Sequence, residues 1–251
     1  MSGASMPGST RRVPELRGQT VVLIGGSAGI GLATARRARA EGADVVLTGR
    51  DPDRLAHAAA DIGAIGTAAF DATDPDALHE FFAGTPHPID HILATAGGPK
   101  YGPLLEMSAA DVRDTLSAHV VLGLEVARNA QPVMRPGGSL TLMGGTGGRR
   151  IDHRLGILSA ATAALPPFTA ALALEVAPMR VNLIAAGFVD TPLSASLLGD
   201  HLDNRRDDLR STLPIGRVVT ADDIAALAVH LMVNTALTGA TYDIDGGQQF
   251  I

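Results

Sequence analysis

One stretch constrains this chain more than any other. The β-branched run Thr20–Ile24 passes directly into Gly25-Gly26-Ser27-Ala28-Gly29-Ile30-Gly31 and then into a helical pattern. Glycine clusters are common, but one placed between a strand and a helix at the start of a βαβ unit has a physical use. Gly25 permits the tight turn, Gly29 lets the backbone approach a pyrophosphate, and Gly31 lets helix and strand pack closely. The helix start then offers free N–H groups to an anion, with Ser27, Ala28 and Ile30 completing the cradle. The alternative is a tight strand–helix turn with no ligand.

The rest of the chain repeats that alternation. Strands are predicted at Thr20–Ile24, Asp44–Thr48, Ile65–Phe70, Ile89–Ala94, Ser139–Met143, Arg180–Ile184 and Thr241–Ile244. Helices are predicted at Ile30–Glu41, Pro52–Asp61, Pro75–Phe82, Ala109–Gln131, Pro167–Ala177 and Ala221–Val233. Short strands alternating with Ala-rich helices predict an α/β protein. With the glycine turn, they predict a single-domain Rossmann fold: a doubly wound, seven-stranded parallel sheet with helices on both faces. No linker of domain-separating length and no repeat interrupts it. The polar stretch Asp190–Leu213 reads as an irregular lid over a pocket, within a domain spanning residues 18–251.

Composition narrows the function. At 251 residues with 46% hydrophobic content the chain can bury a substantial core, and it is too apolar for general disorder. Aromatic residues make up 3% and Trp is absent, so Ala, Val, Leu and Ile must build the core, as in helix-covered parallel sheets. The net charge of -6 and the lack of a basic stripe argue against nucleic acid as a partner. The absence of cysteine excludes disulfides and thiolate metal sites. His87, Asp90 and His91 make no metal set without a further ligand, so none is expected. No apolar run is read as reaching the roughly 18 residues of a membrane span. The first 17 residues, rich in Ser, Gly and Pro with Arg11 and Arg12, read as a flexible tail on a soluble cytoplasmic protein.

The second strand ends in Thr48-Gly49-Arg50. An NAD enzyme places a carboxylate at this point to hold the ribose 2′-hydroxyl. Gly49 supplies none, whereas the Arg50 guanidinium can fork around a 2′-phosphate. The cofactor expected is therefore NADP(H). Asp51 and Asp53 read instead as the cap and first turn of the next helix.

These residues resemble the short-chain dehydrogenase/reductase family over nearly the whole chain from Arg17 onward. The glycine motif is similar to the family's Thr-Gly-x3-Gly-Ile-Gly, with Ile24 in place of the Thr. Asp71, followed by Ala72, matches an adenine-contacting Asp. Ala94-Thr95-Ala96-Gly97 stands where the family has Asn-Asn-Ala-Gly. Arg180-Val181-Asn182 and Ala186-Gly187-Phe188-Val189-Asp190-Thr191-Pro192 resemble its Arg-Val-Asn and Pro-Gly-x-Val-x-Thr segments, and Thr238-Gly239 and Asp245-Gly246-Gly247 its C-terminal motifs. The resemblance implies that Gly187, Val189 and Thr191 lie at the nicotinamide, with Val189 and Thr191 facing its carboxamide. It also implies a homo-oligomer, a dimer or tetramer built through the two long helices.

The resemblance stops at the family's chemistry, which rests on a Tyr-x3-Lys pair with a Ser and an Asn. Lys100 is the only lysine and Tyr101 and Tyr242 the only tyrosines; Leu105 and Gly246 stand four residues beyond them, so no such pair exists. Alignment on the motifs puts Leu158 at the Tyr position, Thr162 at the Lys, Gly145 at the Ser (with Thr146 beside it) and His119 at the Asn. Pro166-Pro167 predicts a kink or a fresh helix start there, displacing Leu158–Leu165.

Three residues remain as candidates for proton transfer. His119 carries an imidazole, the side-chain type suited to exchanging protons near neutral pH; as a structural alternative, it fills space with its ring hydrogen-bonded. Tyr101 lies in the loop after the fourth strand, at the sheet edge where ligands bind, and Thr146 carries a hydroxyl near the expected hydride site. Arg149, Arg150 and His153 either solvate a loop or recognise an acidic substrate. Three functions stay open. The first is an NADP(H)-dependent oxidoreductase acting on a small carbonyl, alcohol or enone. The others are a non-catalytic NADP(H)-binding protein, as redox sensor or inactive partner subunit, and a non-redox lyase or isomerase on the same fold.

Overall fold

Strands built from uninterrupted Val, Leu and Ile must be covered on both faces. The computed structural model, which describes residues 15–85, 88–149, 151 and 153–251, shows how. In chain order the elements are β1 (Thr20–Ile24), α1 (Gly29–Ala40), β2 (Asp44–Gly49), α2 (Pro52–Ile62), β3 (Gly66–Ala69), α3 (Pro75–Gly84), β4 (Ile89–Ala94), α4 (Ala109–Leu116), α5 (Leu122–Ala130) and β5 (Met134–Gly145). There follow α6 (Gly156–Glu175), β6 (Arg180–Ala186), β7 (Val189–Asp190), α7 (Pro192–Leu198), α8 (Leu202–Thr212), β8 (Val219–Thr220), α9 (Ala221–Val233) and β9 (Thr241–Ile244).

Seven strands form one parallel sheet in the order β3-β2-β1-β4-β5-β6-β9. Alternate residues of each strand feed two separate cores. Val22, Ile24, Ile92 and Leu140 pack with Leu78 and Phe82 of α3, Val126 of α5 and Leu165 of α6. Val21, Leu23, Leu47 and Leu93 pack with Ala35 of α1, Leu55 of α2 and Ile224 of α9 on the other face. The strand order reverses between β1 and β4, and the crevice beyond their carboxyl ends is where such sheets bind ligands.

At the opposite end of the sheet sits a buried polar cluster. Asp90 accepts from Thr20 N at 2.8 Å and from Arg135 Nε at 2.6 Å. His91 contacts Gln19 Oε1 through Nε2 at 2.6 Å and Ser139 Oγ through Nδ1 at 2.8 Å. Because the amide oxygen can only accept, Nε2 carries the proton and Nδ1 accepts from the hydroxyl. Burial and then the Arg180 charge push the His91 pKa from its ordinary 6.5 down to about 4, against the pull of Asp90. The unfolded chain therefore takes up a proton below pH 6.5 that the native protein refuses until about pH 4. The stability that His91 contributes is complete above pH 6.5 and is lost as the pH falls toward 4, by about 3 kcal/mol in all. Urea midpoints at pH 7 and pH 4.5 should differ less for His91→Gln than for the parent protein; an equal difference would contradict the assignment.

Several expectations are corrected. Helix α6 begins at Gly156 and continues through Pro166 and Pro167, so no fresh helix start falls there and Leu158–Leu165 is helical. Two prolines remove the donors for the carbonyls four residues earlier, at about 3 kcal/mol per interior proline. The Ala-rich flanks favour helix, and the inner face buries Ile157, Ala161, Leu165 and Leu172. Each such Leu or Ile is worth about 1.5–3 kcal/mol, enough to hold the helix on the sheet. By length and composition α6 also reaches the size of a membrane span, contrary to the sequence expectation, because Ser159, Thr162 and the prolines interrupt a segment that is apolar on average. The predicted 109–131 helix forms, but with a π-turn at Ser117–Val121 between α4 and α5. The stretch from Asp190 to Leu213 is not irregular; it holds α7 and α8. Of the expected tail, residues 1–14 lie outside the described residues, while Leu16 is fully buried and donates its N–H to Glu41 O at 3.0 Å.

Candidate functional site

The glycine turn follows β1 at the reversal point of the sheet. Gly25 and Gly29 have φ of +99° and +52°, which only glycine adopts without strain. Thr48 holds the turn from β2, its carbonyl accepting from Gly26 N at 2.8 Å and its hydroxyl from Gly25 N at 3.3 Å. From the loop after β4, the Thr95 hydroxyl donates to Gly25 O at 3.0 Å. A Cβ on Gly31 would be driven into the Gly25 carbonyl, 2.9 Å from its carbon. The loop is therefore a cradle that side chains at Gly25 or Gly31 would fill.

Helix α1 opens on that cradle with Ala28 as N-cap. No side chain caps it and no acidic residue stands in its first turn. The orphan N–H groups and the positive end of the dipole thus face the crevice without a protein acceptor. Ser27, Ala28, Gly29 and Ile30 supply this edge. Gly49 packs tightly beside it, since a Cβ there would lie 3.0 Å from Ser27 Oγ. Arg50 is exposed and forms no hydrogen bond or ion pair among the described residues, although its charge reaches Asp71. Asp71 follows β3 and accepts from Thr73 N at 2.9 Å and Thr73 Oγ1 at 2.8 Å. Those bonds, with Arg50, hold its carboxyl below the usual range, and Ala72 beside it is buried.

The other wall comes from the loops after β4 and β6. Ala96 N donates to Ile24 O at 2.9 Å, and a Cβ on Gly97 would lie 2.8 Å from Ala118 O, so Gly97 is wedged against the π-turn. Gly187 is packed against Asp245 and Gln248, and Gln248 Oε1 accepts from Phe188 N at 2.7 Å. Val189 is buried, and Thr191 caps α7 and lies beside the head of α1, 3.5 Å from where a Cβ on Gly29 would stand. Of the cofactor residues expected from sequence, Gly25 lies against the Thr95–Ala96 segment, Ser27 beside Gly49 and Gly29 beside Thr191. Thr48, Thr95 and Gln248 were missed as their supports. Their backbone-directed bonds leave no mark in a sequence, although a Thr at a strand end next to a glycine turn is a hint.

The catalytic candidates fare differently. His119 sits in the π-turn, half-buried, with Nδ1–H donating to Thr115 O at 2.7 Å. That bond fixes the ring and leaves Nε2 as the nitrogen able to exchange a proton. Tyr101 is 46% exposed, and desolvation of its hydroxyl pushes its pKa up, away from easy proton transfer. Lys100 does not offset this. Its Nζ is held by Asp111 at 2.6 Å and Asp114 at 2.8 Å, which raises its own pKa. Thr146 is buried, with no side-chain hydrogen bond among the described residues to activate its hydroxyl. On α6 the Thr162 hydroxyl donates to Leu158 O at 2.9 Å, with Ser159 O at 3.2 Å, and a Cβ on Gly145 would lie 3.5 Å from Thr162 Cγ2. Gly145 and Thr162 therefore face each other, but neither offers a free acid. Arg149 is paired to Asp243 and donates to Gln249 Oε1 at 2.7 Å, tying the loop after β5 to the C-terminal segment. Arg150 and His87 lie outside the described residues.

A parallel sheet with this strand order and a glycine-lined, uncapped helix start at its reversal point defines a Rossmann-type α/β protein. Residues 25–249 match the family model described as enoyl-(acyl carrier protein) reductase. The chain belongs to the short-chain dehydrogenase/reductase family, a family of oxidoreductases. An uncharacterized oxidoreductase of Mycobacterium tuberculosis is 31% identical to it, over 94% of each chain. The NADP-dependent (R)-specific alcohol dehydrogenase of Lentilactobacillus kefiri is 29% identical, over 93% of this chain and 97% of that one. Among solved structures, the MalC reductase/Diels-Alderase of Malbranchea aurantiaca matches with a TM-score of 0.88 and 25% identity, over 96% of this chain and all of that one.

Proposed function

We propose that the chain is an NADP(H)-dependent oxidoreductase acting on a small carbonyl, alcohol or enone through atypical catalytic residues. One observation carries the choice of NADP(H). The end of β2 offers Gly49, with no carboxylate, flanked by the Arg50 guanidinium and the Ser27 hydroxyl, neither of which has a hydrogen-bond partner among the described residues. Two unpaired donors at that point suit a 2′-phosphate. The NADP dependence named for the Lentilactobacillus kefiri relative supports the same reading.

The backbone amides at residues 27–30 would hold the pyrophosphate, Asp71 and Ala72 the adenine, and Val189 and Thr191 the nicotinamide carboxamide, with Ala96, Gly97 and Gly187 closing the walls. When bound, the nicotinamide supplies or accepts hydride. The protein's own task is to orient the substrate and to exchange one proton, a role this reading gives to His119 Nε2, whose ring is held by Thr115. A second reading, a non-catalytic NADP(H)-binding protein, is favoured by the raised Tyr101, the engaged Lys100 and the internally bonded Thr162 hydroxyl.

A panel of ketones, aldehydes and enones, followed by NADPH consumption, separates the two. Turnover is expected, falling about 100-fold or more in His119→Ala, in keeping with the loss of a general acid–base. Turnover untouched by that substitution but lost in Tyr101→Phe would move the role to Tyr101. Tight NADPH binding with no turnover across the panel would remove the enzymatic reading.

A further inference from the structure

We propose that Arg206 is a positioning residue that couples the two-helix cap, α7 and α8, to the segment 189–191 beneath the nicotinamide end of the crevice. The proposal rests on the NADP(H) reading above. Arg206 projects from α8 and grips both carboxylate oxygens of Asp190, with Nε to Oδ2 at 2.9 Å and Nη2 to Oδ1 at 2.8 Å. Its remaining nitrogen, Nη1, donates to Asp203 Oδ1 at 2.9 Å. The side chains of Arg206 and Asp190 are each 28% exposed, so solvent screens this fork less than an ordinary surface pair. The other ion pairs of α8, Arg205–Asp208 and Arg210–Asp207, close within the helix and reach nothing else.

Asp190 stands between Val189 and Thr191. Val189 is buried in the core shared with α1 and α9, while the polar contacts of the segment are few. β7 pairs with β8 only at Val189–Val219 and Asp190–Thr220, and the Ser194 hydroxyl donates to Val189 O at 2.8 Å. Helix α7 buries no residue. The cap therefore grips the body through α8, by the small cluster of Leu209, Leu213 and Val218 with Phe188, and by the Arg206 fork. On its far side Thr191 lies beside the head of α1, where a Cβ added to Gly29 would come into contact with it. A continuous path thus runs from α8 through Arg206, Asp190 and Thr191 to the pyrophosphate cradle. Loosening it should affect ligands that reach residues 189–191 and spare those that stop at the adenosine.

The test compares NADPH with adenosine 2′,5′-bisphosphate, which carries the 2′-phosphate but no nicotinamide. Arg206→Ala and Asp190→Ala should each weaken NADPH about fivefold or more, and the double variant no further, because the two residues act as one contact. Binding of the bisphosphate should change less than about twofold in all three. Arg206→Lys should recover only part of the loss, since an ammonium cannot reproduce the fork. Without any ligand, amide hydrogen exchange across residues 189–198 should quicken in Arg206→Ala. Unchanged NADPH affinity, equal weakening of both ligands, or unchanged exchange would each overturn the proposal. If the parent protein bound neither ligand, the cofactor reading would fall, and hydrogen exchange alone would still decide whether Arg206 holds the segment.

Discussion

Gly31→Ala is expected to abolish NADPH binding, by about 100-fold or more, and to destabilise the fold by about 2–4 kcal/mol. Helix propensity predicts the opposite sign, because Gly→Ala inside a helix ordinarily stabilises by about 1 kcal/mol. Packing decides here. The new Cβ would run into the carbonyl of Gly25, which is backbone and held on both sides by Thr48 and Thr95, so it has nowhere to go. The turn or the start of α1 must shift, and either movement spoils the array of N–H groups that would meet the pyrophosphate. Gly84, the last residue of α3, is the control. Nothing lies within 4 Å of a Cβ built on it, so Gly84→Ala should be neutral or mildly stabilising and leave NADPH affinity unchanged. Thermal unfolding and fluorescence titration of the two variants read both effects. A stable Gly31→Ala protein with parental affinity would show that α1 does not pack on the turn as described.

Arg180→Ala should produce the largest loss of stability of any single change away from the crevice, about 3–5 kcal/mol. Arg180 is buried at the start of β6. Its Nη1 donates to Leu231 O at 2.8 Å, and to Asn234 O and Leu237 O at 3.2 Å; its Nη2 donates to Met232 O at 2.7 Å. These are the last carbonyls of α9 and the chain that follows it, where helices leave acceptors unpaired and favour positive charge. Truncation strands several buried carbonyls at once, each at about 1–3 kcal/mol if left unsatisfied. Arg180→Lys keeps the charge but cannot span all four acceptors, so it should recover less than half. Because Arg180 lies at the end of the strand away from the crevice, NADPH affinity measured well below the melting temperature should change less than about threefold in either variant. Denaturant unfolding checks the first expectation. A loss below about 1 kcal/mol would mean that water replaces the guanidinium at no great penalty.

Much of this architecture was legible in the residues. Apolar runs such as Val21–Ile24 and Val45–Leu47 have to be central strands, and Asp51 and Asp74 mark the starts of α2 and α3, where they do accept from the first-turn N–H groups. The glycine turn located the crevice because its spacing is set by contacts between neighbours in sequence. What failed depends on contacts between distant residues. The continuity of α6 is imposed by burial against the sheet, which overrides what two prolines prefer locally. The cap hides its helices under a polar composition, since α8 is stapled by Arg–Asp pairs three residues apart. The start of α7 was readable in retrospect: Thr191-Pro192 with Ser194 is a capping box with proline in the first turn. Nothing local announces that Arg149 meets Asp243 or that Arg206 meets Asp190.

In the proposed function the turn after β1 and the two donors beside Gly49 form an NADP(H) site. Calorimetric titration of the protein with NADPH and, separately, NADH tests it most directly. NADPH should bind at least about tenfold more tightly than NADH, with the difference largely erased in Arg50→Ala. Equal affinity for the two would remove Arg50 from the site, and uptake of neither at millimolar concentration would contradict the account as a whole.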